Sequence, residues 1–259
     1  FENGILLPKS LSSAIIFKLG NVKKISGWAT QYRNFFLSNP VKLTEKIKSQ
    51  HQVFLHLELA YANFGKKIDT PKIFLNTIEE IDSAVKKKWF IFNNKKYLGI
   101  NPGAAFGPAK RWLPEYFAEV INYFCLKNTN IIPVLFGSKN EVSIGDNILR
   151  FVDRKINLIN LIGKTSLQEL FSSVKLCSFF LTNDSGPMHI AAALNIPMAA
   201  IFGSTNDITT GPFSLNSTII KSNMECSPCI SEKCKYGTYQ CMKNITPEIV
   251  IKSLNLNFN

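Results

Sequence analysis

Residues 179–202, FFLTNDSGPMHIAAALNIPMAAIF, contain two apolar runs separated by a turn and a short amphipathic piece. The first run, Phe179-Phe180-Leu181-Thr182, shows no polar alternation, which marks a strand covered on both faces. Asn183 to Pro187 supply turn residues, the pattern then predicts a helix over 189–194, and 198–202 is again apolar throughout. Strand, helix and strand in that order pair in parallel, because the helix carries the chain back across one face of the sheet.

The same alternation extends upstream. The run 97–100 ends at Asn101-Pro102-Gly103, and a helix with Pro114 in its first turn places Phe117, Val120, Ile121 and Phe124 on one face. A further apolar run over 131–136 is closed by Gly137. Thr165 with Gln168 predicts a capping box for a helix in which Leu167, Leu170, Phe171 and Val174 recur at helical spacing. This βαβα order predicts an α/β fold, with a Rossmann-like domain over 93–259. Residues 1–92 form a second, less regular domain with a strand over 4–8 and helices over 11–19 and 44–61, followed by a Lys-rich stretch that reads as a linker.

With 259 residues, 46% of them apolar, and a mean hydropathy of +0.05, the chain has the material for a packed core. The longest apolar stretch, 190–202, is interrupted by Asn195 and Pro197, so no segment reads as a membrane span. Glu2 and Asn3 stand where a signal peptide would be basic, and six cysteines are too few for a disulfide scaffold, so a cytoplasmic location is expected. A buried strand over 4–8 needs neighbouring strands, and sequence upstream of Phe1 is expected to supply them. The net charge of +12 points to an anionic partner: nucleic acid, an anionic membrane surface or a phosphorylated small molecule. Lysines crowd the stretch from Lys18 to Lys96, a pattern that also suits a merely solvated surface.

In a doubly wound sheet ligands bind beyond the carboxyl ends of the strands, so the loops at 101–112, 137–141, 183–189 and 203–207 are expected to face one crevice. Small residues around Ser185 and Gly186 let a backbone approach a ligand, and the helix after them offers free N–H groups to an anion. The plainer reading is that Asp184 and Ser185 cap that helix. Lys110 and Arg111 follow a glycine-rich turn, but neither a Gly-Lys-Ser/Thr ending nor a G-x-G-x-x-G signature is present. Cys226, Cys229, Cys234 and Cys241 form C-x2-C-x4-C-x6-C, which suits a tetrahedral zinc, a disulfide staple or free thiols, and a closed four-thiolate site would be structural rather than catalytic. Cys125 and Cys177 read as core residues.

Taken as an ordered series, Asn101–Trp112, 163–167, Thr182–His189 with 191–194, 202–205 and 226–242 resemble the motifs of the bacterial lipopolysaccharide heptosyltransferases, and the likeness extends to 6–14 and 26–28. The resemblance implies a GT-B architecture, with two Rossmann-like domains facing a cleft, an acceptor bound by the first and ADP-heptose by the second. It implies inverting transfer with no metal and no cofactor. In this chain Lys110 and Asp184 would be the catalytic residues, Lys110 contacting the donor phosphates and Asp184 the heptose hydroxyls. Glu141 would hold the adenosine ribose, and Thr165, Ser185, Gly186, Met188 and His189 would line the donor pocket. The family's first strand and the Gly-Asp loop bearing its catalytic aspartate have no counterpart here, so the start of the first domain and the base are expected to be missing, and Asp184 does not replace that base.

The implied partners are the ADP-heptose donor and an anionic, lipid-linked core oligosaccharide, reached by peripheral contact with the inner face of the inner membrane, and no nucleic acid. A GT-B transferase for another nucleotide sugar and a zinc-stabilised nucleic-acid binder are the alternatives, the latter weakened by the lack of a recognition helix or RNA-binding aromatic signature. Lys110→Ala is expected to raise the barrier by about 2–4 kcal/mol with little effect on folding.

Overall fold

The computed structural model describes residues 1–67, 71–91 and 94–255. Contacts divide the chain into two units, Phe1–Lys72 with Ile208–Thr210, and Ile73–Asp207 with Gly211–Asn259.

The first unit holds a three-stranded parallel sheet of β1 (Asn3–Leu6), β2 (Lys24–Trp28) and β3 (Asn39–Val41), in that order. Helix α1 (Leu11–Leu19) starts at Ser10, whose hydroxyl accepts the Ser13 N–H, and it buries Ala14 against Leu6, Val22, Ile25 and Leu37. Arg33 is fully buried among backbone oxygens: its Nε donates to Trp28 O at 2.8 Å and its Nη1 to Pro8 O and Ser10 O at 2.7 and 3.0 Å. The single helix expected over 44–61 is two, α2 (Glu45–Lys48), capped by Thr44, and α3 (Gln52–Phe64), capped by His51. α3 lays Leu55 and Leu59 on Trp28 and ends at Gly65, whose φ of +66° suits glycine.

The second unit opens with α4 (Glu79–Trp89). The lysines of this segment suggested a linker, but Ile81, Val85 and Trp89 recur every fourth residue and pack, with Phe90, onto the larger sheet, while Lys86, Lys87 and Lys88 occupy its last turn. The unit therefore begins well ahead of the 92/93 boundary expected from sequence, a boundary that itself lies outside the described residues.

The larger sheet comprises β4 (Lys96–Asn101), β5 (Ile131–Leu135), β6 (Ile159–Asn160), β7 (Phe179–Asn183), β8 (Met198–Phe202) and β9 (Ser217–Lys221). All neighbours are parallel in the order β6-β5-β4-β7-β8-β9, so the first strand of the unit lies beside its fourth. This is the Rossmann order, with its switch point between β4 and β7. Alternate side chains divide between two cores. Leu98, Ile100, Phe179, Leu181, Ala199 and Ile201 meet α5 (Pro114–Lys127), α6 (Val142–Leu149) and α11 (Pro247–Asn255). Tyr97, Phe180, Met198, Ala200 and Phe202 meet α4, α7 (Leu167–Lys175) and α8 (Gly186–Ala193) on the other face. Gly99 lies where any Cβ would enter the Phe180 ring. Two short helices, α9 (Asp207–Thr210) and α10 (Gln240–Lys243), complete the α-helices among the described residues.

The capping box of α7 is Ser166 with Glu169, one residue beyond the Thr165–Gln168 pair expected. The Ser166 backbone N–H on the Glu169 carboxylate holds that acid below the ordinary range, against a smaller opposing effect of burial, with the Ser166 hydroxyl and Lys88 assisting. A depressed carboxylate stabilises the fold above its unfolded pKa, and that contribution is lost as pH falls through the folded value. Ser166→Ala should cost about 1 kcal/mol near neutrality, measured by urea unfolding, with the penalty shrinking in acid. Cys125 and Cys177 are buried, and burial drives both thiols upward, Cys125 to about 12. No helix among the described residues is long and apolar enough to cross a membrane.

Candidate functional site at the switch point

Two buried asparagines close the strands that flank the switch point. Asn101, at the end of β4, donates through Nδ2 to Ser185 Oγ at 2.8 Å, and Asn183, at the end of β7, donates to Pro102 O at 2.7 Å. Asn183 Oδ1 also accepts the Trp112 backbone N–H at 3.1 Å. Each strand end is thus tied to the loop leaving its neighbour. Trp112 closes the 101–112 loop from below: its Nε1 donates to Ile245 O at 2.8 Å, and its ring meets Phe117 edge-on at 4.9 Å.

Lys110 and Asp184 meet on this frame. The Lys110 Nζ lies 2.6 Å from Asp184 Oδ2, with side chains 14% and 5% exposed. The same carboxylate oxygen accepts the Thr205 hydroxyl at 2.6 Å. Two charge-assisted bonds on one oxygen hold the carboxylate in one orientation. The ammonium is also 5.0 Å from the centroid of the Phe106 ring, within cation–π range. Thr205 brings the 203–207 loop to Asp184, so three of the four expected loops meet at this pair and its neighbours.

Beside it lies a cleft of about 450 Å³ lined by Gly103, Gly137, Glu141, Thr165, Ser185 and Gly186, among others. Four of the sequence-predicted binding residues therefore share one cavity. Met188 does not line it: its side chain is fully buried in the core and its N–H bonds Ser185 O at 3.1 Å. His189 lies on the exposed side of α8, outside the lining. Ser185, the N-cap of α8, makes no capping bond with its side chain, and Asp184 turns to Lys110 and Thr205. The plainer reading, in which these two residues cap the helix, does not hold. Glu141 takes the Ser138 N–H and hydroxyl on Oε2, at 2.7 and 2.8 Å, while Oε1 faces Gly103, where a Cβ would collide with it.

Sequence reasoning named Lys110 and Asp184 separately but missed the structural roles of Asn101, Asn183 and Thr205. The available signal was polar: Asn101, Thr182 and Asn183 close otherwise apolar strands, and a buried amide at such a position needs partners.

Known proteins share the sequence pattern and the fold of this chain. The model of glycosyltransferase family 9 (heptosyltransferase) matches residues 1–240. Lipooligosaccharide heptosyltransferase 2 of Campylobacter jejuni is 34% identical, the match covering 87% of this chain and 68% of the relative. Lipopolysaccharide heptosyltransferase 2 of Escherichia coli is 28% identical, over 98% of this chain and 75% of that protein. The solved E. coli ADP-heptose LPS heptosyltransferase II superposes with a TM-score of 0.82 at 27% identity, over 99% of this chain and 76% of the other. A family 9 glycosyltransferase from Veillonella parvula has the same fold, with a TM-score of 0.83 at 21% identity, over 98% of this chain and 73% of that one. The α/β fold with two Rossmann-like units is the GT-B fold of these enzymes, and the chain belongs to glycosyltransferase family 9, the heptosyltransferases.

Proposed function

We propose that the protein transfers a heptose from ADP-heptose to the inner core of lipopolysaccharide or lipooligosaccharide, with inversion at the anomeric carbon and no metal. The observation that carries this reading is the Lys110–Asp184 pair beside the cleft at the β4/β7 switch point. An acceptor hydroxyl attacks the anomeric carbon from the face opposite ADP, and negative charge grows on the departing diphosphate. Lys110, on a flexible four-carbon stem, stabilises that charge, together with the N-terminus of α8. Asp184, fixed by Thr205, accepts heptose hydroxyls and keeps Lys110 in place. Both of its bonds draw on its negative charge, so it positions groups and is not the base. The acceptor's proton passes to a carboxylate on the acceptor side, the role that the family resemblance gives to the aspartate of its Gly-Asp loop.

Glu141 accepts the ribose hydroxyls of the adenosine, and Thr165, Ser185 and Gly186 follow the diphosphate, while Met188 supports this turn from the core. The basic residues of the first unit, Lys18, Lys23, Lys24, Lys46 and Lys48 among them, suit a phosphorylated, lipid-linked acceptor at the inner face of the inner membrane.

Calorimetry in Mg²⁺-free buffer should show ADP binding. A strict need for a divalent ion would overturn the metal-independent reading, and equal turnover of other nucleotide sugars would overturn the donor assignment. Gly186 has open space where a Cβ would stand. Gly186→Val should therefore leave urea unfolding within about 0.5 kcal/mol of the parent. The same variant should weaken ADP binding about tenfold or more, because a side chain there occupies the diphosphate's place.

A further inference from the structure

Away from the donor cleft, the segment 222–239 contains neither helix nor strand, yet it is pinned in detail. Ser227 donates its hydroxyl to Gly203 O at 2.6 Å, Ile230 its N–H to Ser204 O at 2.6 Å, and the Glu232 carbonyl accepts the Ala109 N–H at 3.1 Å. Ile230, a β-branched residue, is held at a φ of 51°, a left-handed conformation that costs free energy and persists only where the surroundings impose it.

Within this framework Cys226, Cys229, Cys234 and Cys241 all line one cavity of about 870 Å³, with Ala109, Gly203 and Ser204 on its wall. None of the four is in a disulfide. Cys234 sits at the mouth of a tight turn closed by the Gly237 N–H on Cys234 O at 3.1 Å, with Gly237 at a φ of +66°. Its sulfur accepts the Tyr239 N–H at 3.4 Å. A backbone N–H directed at a sulfur is the kind of outer contact that orients a metal-ligating side chain. Cys241, in α10, packs its sulfur against Gly203, which has no side chain to displace it.

We infer that Cys226, Cys229, Cys234 and Cys241 bind one soft divalent cation, zinc or iron, in a closed four-thiolate site whose role is structural. Four sulfur donors favour a tetrahedral zinc or iron centre over magnesium or calcium. Among the described residues no three potential ligands stand as a ready-made metal group, so binding draws the sulfurs inward. A segment without regular structure can contract in this way without breaking a ladder. The pinning bonds give the site its consequence, since Glu232 holds Ala109 directly beside Lys110 and Ser227 holds Gly203 close to Thr205. The centre would therefore brace the two loops that position Asp184's partners.

The test is metal content, which does not depend on the donor assignment. The full chain, purified without an affinity tag that binds metal, should carry about one equivalent of zinc plus iron by plasma mass spectrometry. Iron would show as a coloured thiolate spectrum once oxidised to the ferric state, zinc as a colourless protein that takes up Co²⁺ with intense sulfur-to-metal bands. Cys234→Ser and Cys229→Ser should each lower the metal at least fivefold, whereas Cys125→Ser should retain it. Metal-free protein with four reactive thiols, or with two disulfides at these positions, would overturn the proposal.

Discussion

Replacing Lys110 with alanine should lower kcat/KM about 100- to 1,000-fold, the loss expected when a preorganised charge is removed from a developing oxyanion. The structure adds a second effect that the sequence alone concealed. Because Lys110 pairs with an Asp184 side chain only 5% exposed, the substitution strands a carboxylate that retains only Thr205. Breaking a buried pair from one side costs about 3–5 kcal/mol, and the 14% exposure of Lys110 places this case toward the lower end. Stability should therefore fall with activity, contrary to the expectation that folding would hardly notice. A double variant separates the two. Adding Asp184→Asn to Lys110→Ala should recover most of the lost stability, because the stranded charge is gone, and recover none of the activity. Thermal melts and kinetics on the four proteins of this cycle decide the matter. Near-normal kcat/KM in Lys110→Ala would remove Lys110 from the reaction, and additive stability losses would show that the pair is not energetically coupled.

The second large effect concerns Trp112. Its ring is 1% exposed, wedged between Tyr116 and Phe117, and its N–H satisfies Ile245 O. Trp112→Ala leaves a large cavity and an unpaired carbonyl, for an expected loss of about 3–5 kcal/mol and roughly 10 °C in melting temperature. Trp112→Phe should recover most of the packing but not the hydrogen bond, costing about 1–3 kcal/mol. A loss under 1 kcal/mol for the alanine variant would mean that the 101–112 loop is not anchored through this residue.

The Rossmann-like unit could be read from sequence because its strands are apolar on both faces and separated by helical spacing, a pattern that local residues determine. α4 failed to register for a physical reason: Lys86, Lys87 and Lys88 dominate the composition of a segment whose buried face is only Ile81, Val85 and Trp89. Spacing was the better guide there than charge. The capping box of α7 slipped by one residue because Thr165 and Ser166 are adjacent and both can cap. The site residues could be named one by one from their loops, but the bond between Lys110 and Asp184 could not, since it depends on β4 lying beside β7. Adjacency across a switch point is a property of the sheet and not of either segment.

Arg33 gives the first unit a tie that ionic strength does not reach. Its guanidinium is held by carbonyl oxygens rather than by a carboxylate, out of reach of dissolved ions. Added salt screens exposed charges and leaves such enclosed ion–dipole contacts nearly untouched. Both units also carry exposed surface pairs: Lys23 with Glu2 and Lys48 with Glu45 in the first, at 3.3 and 2.7 Å, and Lys175 with Asp82 and Lys221 with Asp207 in the second, each 2.8 Å long. Sodium chloride is thus a selective reagent within the first unit itself: it loosens the surface pairs while the buried cation keeps its grip on the turn from Pro8 to Ser13.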